Sequence, residues 1–462
     1  MRHIIWAETA LLPEGWVQGV RVEVQAGRVE RVIPCVVSEA EQAATVTGYT
    51  LSKVGALIPA GHNLHSHAFQ RAMAGMTERR GHPNDSFWTW RQLMYRFLDQ
   101  LTPEDVEAIA AFVQMEMLEA GYASVCEFHY LHHAPGGRPY ARLAELAERV
   151  IAAAGETGIG LTLLPVAYEV GGCDGRELQG GQQRFGNDWG RFARLWEESR
   201  EALRALPEDA VIGVAPHSLR AVRRETLAEC RALPGPFHMH LAEQVGEVAE
   251  VEAAWGARPV EWVLENLTPG PRHVFIHLTQ MTARETEALA ATGAVAGLCP
   301  ITEGSLGDGI FDGVRWLRAG GGFGVGSDSN IRIAQAEELR GLEYSQRLRD
   351  RGRAMLATED RSTGRVLLEG AARGGAQAAG RASGAIAPGL WADLVALDTA
   401  AVDLEGRQGD GLLDAWIFAG DDRMVAEVWS AGRHVVKAGQ HVAHARLEAR
   451  YRAVMRRLVG TL

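Results

Sequence analysis

Two histidines separated by a single residue, His65 and His67, have types and spacing that suit metal chemistry. In an extended segment, side chains at positions i and i+2 point to the same side, so the two imidazoles can bind one ion. Imidazole is a common ligand of Zn²⁺ and similar divalent ions. A lone His-x-His pair could equally be two polar side chains exposed on the surface. The prediction of a metal site therefore depends on further ligands elsewhere in the chain.

Later segments supply such partners. One short apolar run ends close to His240, and Glu243 lies three residues after that histidine. Another run ends at His277, and a third ends just before Asp328. Any one of these residues could be a satisfied core histidine or a helix cap, but their joint placement predicts a metal-dependent active site. The five cysteines form no Cys-x-x-Cys pair, which suits reduced thiols and leaves histidines and carboxylates as the expected ligands.

The elements that would position these residues are short runs, apolar on both faces, that alternate with amphipathic helical stretches. Buried parallel strands show this pattern. The eight runs are residues 56–59, 124–128, 160–166, 211–215, 237–241, 273–277, 294–299 and 322–326. Eight strand–helix units predict a (β/α)₈ barrel of the TIM type, in which the active site lies at the carboxyl ends of the strands.

The two ends of the chain have a different pattern. Residues 16–34, 392–397 and 424–436 alternate apolar and polar side chains, which is typical of antiparallel hairpins. We therefore predict a small β-sandwich domain formed by both chain ends, with the barrel inserted between them. The predicted division is residues 1–55 with 381–445 for the β-domain, 56–380 for the barrel and 446–462 for a C-terminal helix.

Composition narrows the class of partner. The 462 residues include 47 Lys and Arg against 58 Asp and Glu, a net charge of −11, and Lys53 and Lys437 are the only lysines. An acidic chain without a basic run is not expected to bind nucleic acid or an anionic membrane. Because no signal-peptide pattern or long apolar stretch is present, we expect a cytoplasmic protein. Barrel enzymes of this size commonly form symmetric dimers, so a homodimer is also expected.

The order of the candidate ligands resembles a known family. His-x-His after strand one, His after strands five and six, and Asp after strand eight is the ligand order of the amidohydrolase superfamily, and residues 387–398 resemble the segment that returns to its β-domain. The resemblance implies that His65, His67, His240 and Asp328 hold the metal. The spacing from His240 to Glu243 is similar to that of the deaminase branch.

The number of metal ions follows from the same resemblance. Superfamily members with two metals bridge them with a carbamylated lysine after strand four, and this chain has no lysine between Lys53 and Lys437. We therefore expect one divalent ion per subunit, with Zn²⁺ as the expected metal.

The expected mechanism follows from the needs of hydrolysis. Zn²⁺ with three or four protein ligands lowers the pKa of bound water to about 7 and so provides a hydroxide that attacks a C=N carbon. Asp328 would accept the proton of that water, Glu243 would protonate the departing nitrogen, and His277 would polarise or orient the attacked centre. The predicted reaction is the hydrolytic loss of ammonia.

Finer strings resemble the N-formimino-L-glutamate deiminase (formimidoylglutamate deiminase) family of histidine degradation. They are residues 63–75, 84–91, 127–133, 217–222 and 307–311. The resemblance implies conversion of N-formimino-L-glutamate to N-formyl-L-glutamate and ammonia. Carried over by position, the expected substrate contacts are Gln70, Arg91, Tyr130, His217 and Arg220. Arginine suits a substrate with two carboxylates, although Arg91 or Arg220 could instead pair with a structural acid such as Asp85.

Departures from the family pattern leave alternatives open. His277 is followed by Leu-Thr-Gln280, where members often have a second histidine, and residues 300–306 differ from the commoner string. One alternative is another mononuclear deaminase acting on guanine or a related heterocycle, whose pocket would need stacking apolar groups rather than two arginines. The other is a metal-free binding homologue, although such chains usually lose ligands.

Overall fold

The computed structural model describes residues 2–34, 49–76, 78 and 94–460. The strands are β1 (Arg2–Leu12), β2 (Gly15–Gln25), β3 (Arg28–Pro34), β4 (Tyr49–Pro59), β5 (Gly61–Ser66), β6 (Tyr122–His129), β7 (Gly160–Ala167), β8 (Val211–Ile212), β9 (Ala215–Pro216), β10 (Phe237–Leu241), β11 (His273–His277), β12 (Val295–Leu298), β13 (Gly322–Val325), β14 (Leu394–Leu397), β15 (Val425–Ser430), β16 (Arg433–Lys437) and β17 (Gln440–His441).

The helices separate most of these strands. They are Pro103–Glu119, Glu145–Thr157, Trp189–Ala202, Arg224–Ala232, Val245–Trp255, Pro259–Asn266, Ala283–Ala290, Pro300–Leu306, Gly313–Arg318, Gln335–Asp350, Thr363–Ala378, Asp410–Phe418 and His444–Val459. Among the described residues, no helix combines the length and the apolar character needed to cross a membrane.

Strands from both chain ends form one sheet. Its order is β17-β16-β15-β14-β4-β1-β2-β3, and all neighbours are antiparallel except β1 and β4. Apolar side chains of this sheet, including Ile5, Val22, Leu394 and Trp429, pack into a small core of their own. The expectation of a β-unit built jointly from the two termini is confirmed, whereas its predicted boundaries stay a prediction.

The middle of the chain forms a closed ring of parallel strands. The order β5-β6-β7-β8, with β9 also paired to β7, is continued by β10-β11-β12-β13. A parallel bridge between Val214 and Phe237 joins the two halves, and a second one between Ser66 and Asp328 closes the ring. With β8 and β9 sharing one position, eight positions surround the barrel axis, and the predicted (β/α)₈ fold class is confirmed.

The prediction of the first barrel strand was wrong. Residues 56–59 lie in β4, where Ala56 pairs with Leu397 and Pro59 with Leu394 of the terminal sheet. The chain passes through Ala60 directly into β5, which is the first strand of the barrel. Because β5 carries His62, Asn63 and His65, it lacks the apolar signature of the other strands although all its residues are buried.

A buried ion cluster connects the barrel to the terminal sheet. The Arg381 guanidinium donates to both carboxylate oxygens of Asp393 at 2.7 and 3.0 Å and lies 2.8 Å from the carboxylate of Asp209. Arg433 donates to the same Asp209 at 2.7 Å through two nitrogens. The Arg381 charge holds the pKa of Asp393 well below its usual range although burial opposes ionisation. The buried charges of Arg381, Asp209 and Asp393 therefore stabilise one another.

Replacing Asp393 by Asn should destabilise the fold. The variant leaves the buried Arg381 with an incomplete partner, and breaking a buried ion pair typically costs about 3–5 kcal/mol. Equilibrium urea unfolding should show this loss of unfolding free energy. Glu197→Gln provides the control, since Glu197 pairs with Arg200 in solvent at 2.5 Å and its loss should leave the midpoint unchanged. Equal midpoints for the two variants would contradict the role assigned to the cluster.

Candidate metal centre and active site

The candidate ligands come together at the carboxyl ends of the barrel strands. His65 lies in β5 and His67 directly after it, His240 lies in β10, and Asp328 follows β13. All four side chains are buried. Two backbone hydrogen bonds connect the first and last strands here, from His67 N to the Asp328 carbonyl and from Asp328 N to the His65 carbonyl, each 2.9 Å.

Side-chain hydrogen bonds reinforce this junction. The Asn63 amide donates to the Ser327 hydroxyl at 2.6 Å and accepts from Ser327 N at 3.1 Å. The Ser327 hydroxyl donates to Asn330 at 2.6 Å, and the Asn330 amide donates to the Ser66 hydroxyl at 3.1 Å. These four side chains are fully buried, so their polar atoms are satisfied by one another.

The backbone beyond the strand ends is unusually bent. Positive φ angles occur at Ala242 (53°), His277 (74°), Leu278 (56°), Asp328 (45°) and Asn330 (55°). A non-glycine residue in this region costs about 1–3 kcal/mol and persists where the surrounding contacts hold it. The junction described above holds two of these five residues, Asp328 and Asn330, where they meet the metal ligands.

Four ligand atoms converge on one point. His65 Nε2 lies 3.1 Å from His67 Nε2, 3.1 Å from His240 Nε2 and 3.2 Å from Asp328 Oδ1, and His67 Nε2 lies 3.1 Å from the same oxygen. Nitrogen and oxygen ligands about 2.0–2.1 Å from a tetrahedral Zn²⁺ are separated by about 3.3 Å. The spacing of the four atoms therefore fits a single ion.

The proton positions also fit a metal. His67 Nδ1 donates to the Phe128 carbonyl at 3.1 Å and His240 Nδ1 to the His217 carbonyl at 3.0 Å, so both Nε2 atoms present lone pairs. Burial lowers the pKa of His65 to about 3, so this imidazole is neutral at physiological pH. Lone pairs and an anionic oxygen that face one another repel unless a cation lies between them, which is the requirement that a divalent ion meets.

His277 belongs to the same cluster. Its ligand atoms lie within 4.8 Å of those of His65, His240 and Asp328, so it faces the same point as the predicted metal ligands. On its other side, His277 Nδ1 lies 3.3 Å from the Glu303 carboxylate, which also accepts from Cys299 N at 2.8 Å. Burial lowers the pKa of His277, but the Glu243, Glu303 and Asp328 carboxylates raise it to about 10.

Glu243 lies close to His277 without belonging to the ligand cluster. Its Oε1 is 3.8 Å from His277 Nε2, and burial raises the pKa of its carboxyl group. Glu247 fixes the backbone at Ala242 and Glu243, because its carboxylate accepts from Ala242 N at 3.1 Å and from Glu243 N at 2.8 Å. A carboxyl group with a raised pKa at such a position can deliver a proton during a reaction.

A cavity opens beside these groups. Among the predicted substrate contacts, Gln70, Tyr130, His217 and Arg220 line it, together with His67, His240, Glu243, His277 and Asp328. The Gln70 amide donates to the Tyr130 hydroxyl at 2.6 Å. The fifth predicted contact, Arg91, lies outside the described residues, as does Asp85.

Sequence reasoning missed part of the cavity wall. The missed lining residues are Met94, Tyr168, Phe185, Leu306 and Ser329. Tyr168 directly follows β7 and Ser329 follows Asp328, so their positions after strand ends could have identified them. Apolar residues of loops and short helices, such as Phe185 and Leu306, carry no comparable signal.

Comparison with known proteins agrees with this geometry. The profile of the Amidohydrolase family matches residues 56–435, and the profile described as Formimidoylglutamate deiminase HutF, N-terminal domain, matches residues 2–43.

Formimidoylglutamate deiminase of Pseudomonas aeruginosa is 46% identical over 446 residues, which cover 96% of each chain. The 8-oxoguanine deaminase of the same bacterium is 27% identical over 420 residues, 87% of this chain and 88% of that one. The crystal structure of an amidohydrolase from Brucella melitensis matches with a TM-score of 0.93 and 44% identity, covering 99% of this chain and 100% of that one.

A closed barrel whose strand ends bring histidines and an aspartate to one point, beside a buried acid, is the architecture of an amidohydrolase. Within that class, the chain belongs to the formimidoylglutamate deiminase family. The resemblance inferred from the sequence motifs is therefore confirmed.

His240→Gln should abolish stoichiometric metal binding. The variant removes one of the converging lone pairs, and we expect the metal content after reconstitution with Zn²⁺ and desalting to fall from one ion per chain to well below one. Elemental analysis of the purified protein measures this. His238→Gln is the matched control, because His238 lies on the same strand but directs its Nε2 to the Ala378 carbonyl at 2.9 Å. A full equivalent of metal in His240→Gln would refute the ligand assignment.

Proposed function

We propose that the chain hydrolyses N-formimino-L-glutamate to N-formyl-L-glutamate and ammonia, as a C–N hydrolase of histidine degradation. One observation carries the proposal: a single cavity holds the metal-ligand cluster and Glu243 together with Arg220, Gln70 and Tyr130. The first set suits hydrolysis and the second suits a polar, anionic substrate. The 46% identity to a formimidoylglutamate deiminase over nearly the whole chain supports the choice of substrate.

The proposed metal is one Zn²⁺ per chain, held by His65, His67, His240 and Asp328. Neutral imidazoles with one carboxylate suit this ion, and a tetrahedral site matches the spacing of the ligand atoms. Such an ion supplies Lewis acidity that makes water reactive at neutral pH.

The protein's own groups move the protons. Water adds its oxygen to the formimino carbon, and the Asp328 carboxylate, which lines the cavity, accepts the proton that water releases. The terminal nitrogen receives two protons, one from Glu243 and the one that Asp328 took from water, and it leaves as ammonia when the carbon–nitrogen bond breaks. The remaining hydroxyl proton returns to Glu243 as the formyl carbonyl forms. His277 lies 3.8 Å from Glu243 and orients the attacked centre. General acid–base help of this kind contributes about 10²–10⁴-fold.

Substrate recognition is assigned to the polar side of the cavity. Arg220 provides a permanent positive charge for a substrate carboxylate, and Gln70, Tyr130 and His217 provide hydrogen-bonding groups. Arg91 remains the proposed partner of the second carboxylate. A homodimer, a cytoplasmic location and the domain boundaries stay predictions.

The substrate assignment predicts a clear preference in ammonia release. The purified holoenzyme should release ammonia from N-formimino-L-glutamate and not from guanine or 8-oxoguanine, since a cavity with Arg220 favours an anion over a flat heterocycle. A coupled glutamate dehydrogenase assay measures the ammonia, and mass spectrometry identifies N-formyl-L-glutamate.

Two variants test whether that activity comes from this site. Glu243→Gln removes the proton donor and should lower kcat about 10²–10⁴-fold with the metal content unchanged. Glu250→Gln, on the helix that follows, should retain full activity because its carboxylate accepts from Cys173 N at 3.0 Å and lines no part of the cavity. Inactivity of the metal-loaded protein on N-formimino-L-glutamate, with activity on a heterocycle, would refute the proposal.

Arg220→Met should weaken substrate binding. Loss of a hydrogen bond to a charged group typically costs about 1.5–3 kcal/mol, which corresponds to a decrease in kcat/KM of about 10–10²-fold. Steady-state kinetics on N-formimino-L-glutamate measure the change. Arg223→Met is the control, because Arg223 lies three residues away and pairs with Glu169 at 2.7 Å on the surface. Equal kinetics for Arg220→Met and the unaltered enzyme would remove Arg220 from the substrate site.

A further inference from the structure

Arg184 is a fully buried arginine that the mechanism does not use. Its side chain has 0% exposure, and it lies at the end of the short helical turn Gly180–Arg184. Its guanidinium donates to the carbonyls of His133 at 2.7 Å, of Leu98, and of Leu101 at 3.4 Å. Within the described part of the chain, no carboxylate lies within 4.0 Å of its nitrogens. The Tyr140 side chain and the more distant Asp99 carboxylate also stabilise its charge. Backbone carbonyls are its other partners.

This arrangement is energetically costly. A buried cation without a carboxylate loses its hydration and is retained only where enough dipoles replace the water. Burial accordingly lowers the pKa of Arg184. Arg381, a second buried arginine, has two carboxylates within 2.8 Å. The contrast indicates that Arg184 is retained for what it connects.

The guanidinium joins three separate segments. The carbonyls of Leu98 and Leu101 belong to the segment before the helix Pro103–Glu119, and the carbonyl of His133 belongs to the loop after β6. The third segment is the turn that carries Arg184. The Arg184 carbonyl also links the turn to the loop after β6, because it accepts from His132 N at 3.0 Å and His133 N at 2.9 Å.

Two of these three segments are packed too closely for an added methyl group. At Gly181, a Cβ atom would lie 2.5 Å from the Tyr95 ring, which is shorter than any normal contact. The turn Gly180–Arg184 therefore lies directly against the segment that contains Leu98 and Leu101. Movement of either segment would move the other.

Each of the three segments places one side chain in the cavity wall. These side chains are Met94, Tyr130 and Phe185. The Tyr130 hydroxyl lies 3.8 Å from the Met94 sulfur, and the Tyr130 and Phe185 rings meet edge to face at 4.7 Å. The hydroxyl of Tyr130 also accepts from Gln70 at 2.6 Å. This group forms a continuous wall beside the predicted substrate contacts.

We propose that Arg184 is a positioning residue for the substrate cavity. Through the carbonyls of Leu98, Leu101 and His133, it fixes the wall formed by Met94, Tyr130 and Phe185, and it thereby sets the affinity for the substrate without touching it. The metal ligands and Glu243 lie on other elements, so the chemical step is not expected to depend on Arg184. The proposal rests on the proposed function for the substrate used in its kinetic test.

Arg184→Lys tests this role, because lysine keeps the charge but cannot reach three carbonyls with one planar group. We expect KM for N-formimino-L-glutamate to rise about tenfold, kcat to stay within about twofold, and the metal content to remain at one ion per chain. Gly181→Ala, which forces the same segments apart without changing a charge, should also raise KM.

Arg381→Lys is the matched control for a merely structural role. It perturbs another buried arginine, at the junction with the terminal sheet, and should lower the melting temperature while leaving KM unchanged. An unchanged KM in both Arg184→Lys and Gly181→Ala would overturn the proposal. An equal rise of KM in Arg381→Lys would also overturn it, because the effect would then be one of general stability.

A measurement without substrate separates this proposal from the proposed function. Hydrogen–deuterium exchange should be faster in Arg184→Lys than in Arg381→Lys for peptides that cover residues 94–101 and 130–134. If the unaltered enzyme does not act on N-formimino-L-glutamate, the proposed function fails, and the exchange result alone decides the role of Arg184. Equal exchange in the two variants would refute that role.

Discussion

Two backbone hydrogen bonds between the first and last barrel strands are the contacts on which the rest of the site depends. They link His67 N to the Asp328 carbonyl and Asp328 N to the His65 carbonyl, across some 260 residues of sequence. A parallel barrel must close at this seam, and here closure itself brings three candidate metal ligands to one point. The buried amides and hydroxyls around Asn63 and Asn330 keep the seam in a single register. The hydrogen bonds that close the barrel therefore also bring the candidate ligands together.

The seam also explains why the cluster suits a cation. His67 and His240 each use Nδ1 to donate to a carbonyl, which leaves both Nε2 lone pairs directed at the Asp328 carboxylate and at His65. In a buried environment this concentration of electron density is unfavourable unless a positive charge compensates it. The positive φ angles at Asp328 and Asn330 add to the cost. The fold therefore holds these side chains in position for an ion without needing the ion to place them.

Much of this could be predicted from the sequence, for a physical reason. Strand ends in a parallel barrel share one face, so histidines and an aspartate at several strand ends had to meet, and His65, His67, His240, His277 and Asp328 do meet. The first barrel strand was misassigned because β5 is buried yet polar, and hydropathy alone does not distinguish such a strand from a loop. Met94 and Phe185 were missed because an apolar cavity wall has the same composition as an apolar core. Arg184 gives no local signal either, since most of its hydrogen-bond partners are carbonyls, which every residue possesses.

The fourth strand position shows how the absence of lysine is accommodated. In the members of the superfamily with two metals, a lysine after strand four bridges the ions, but here β9 is followed by His217. The His217 carbonyl accepts from His240 Nδ1 at 3.0 Å and so fixes the orientation of a ligand, while its imidazole lines the cavity. The position that would supply a bridging group thus supplies one backbone acceptor to the metal site and one side chain to the substrate. That acceptor therefore couples the orientation of a candidate metal ligand to a residue of the cavity wall.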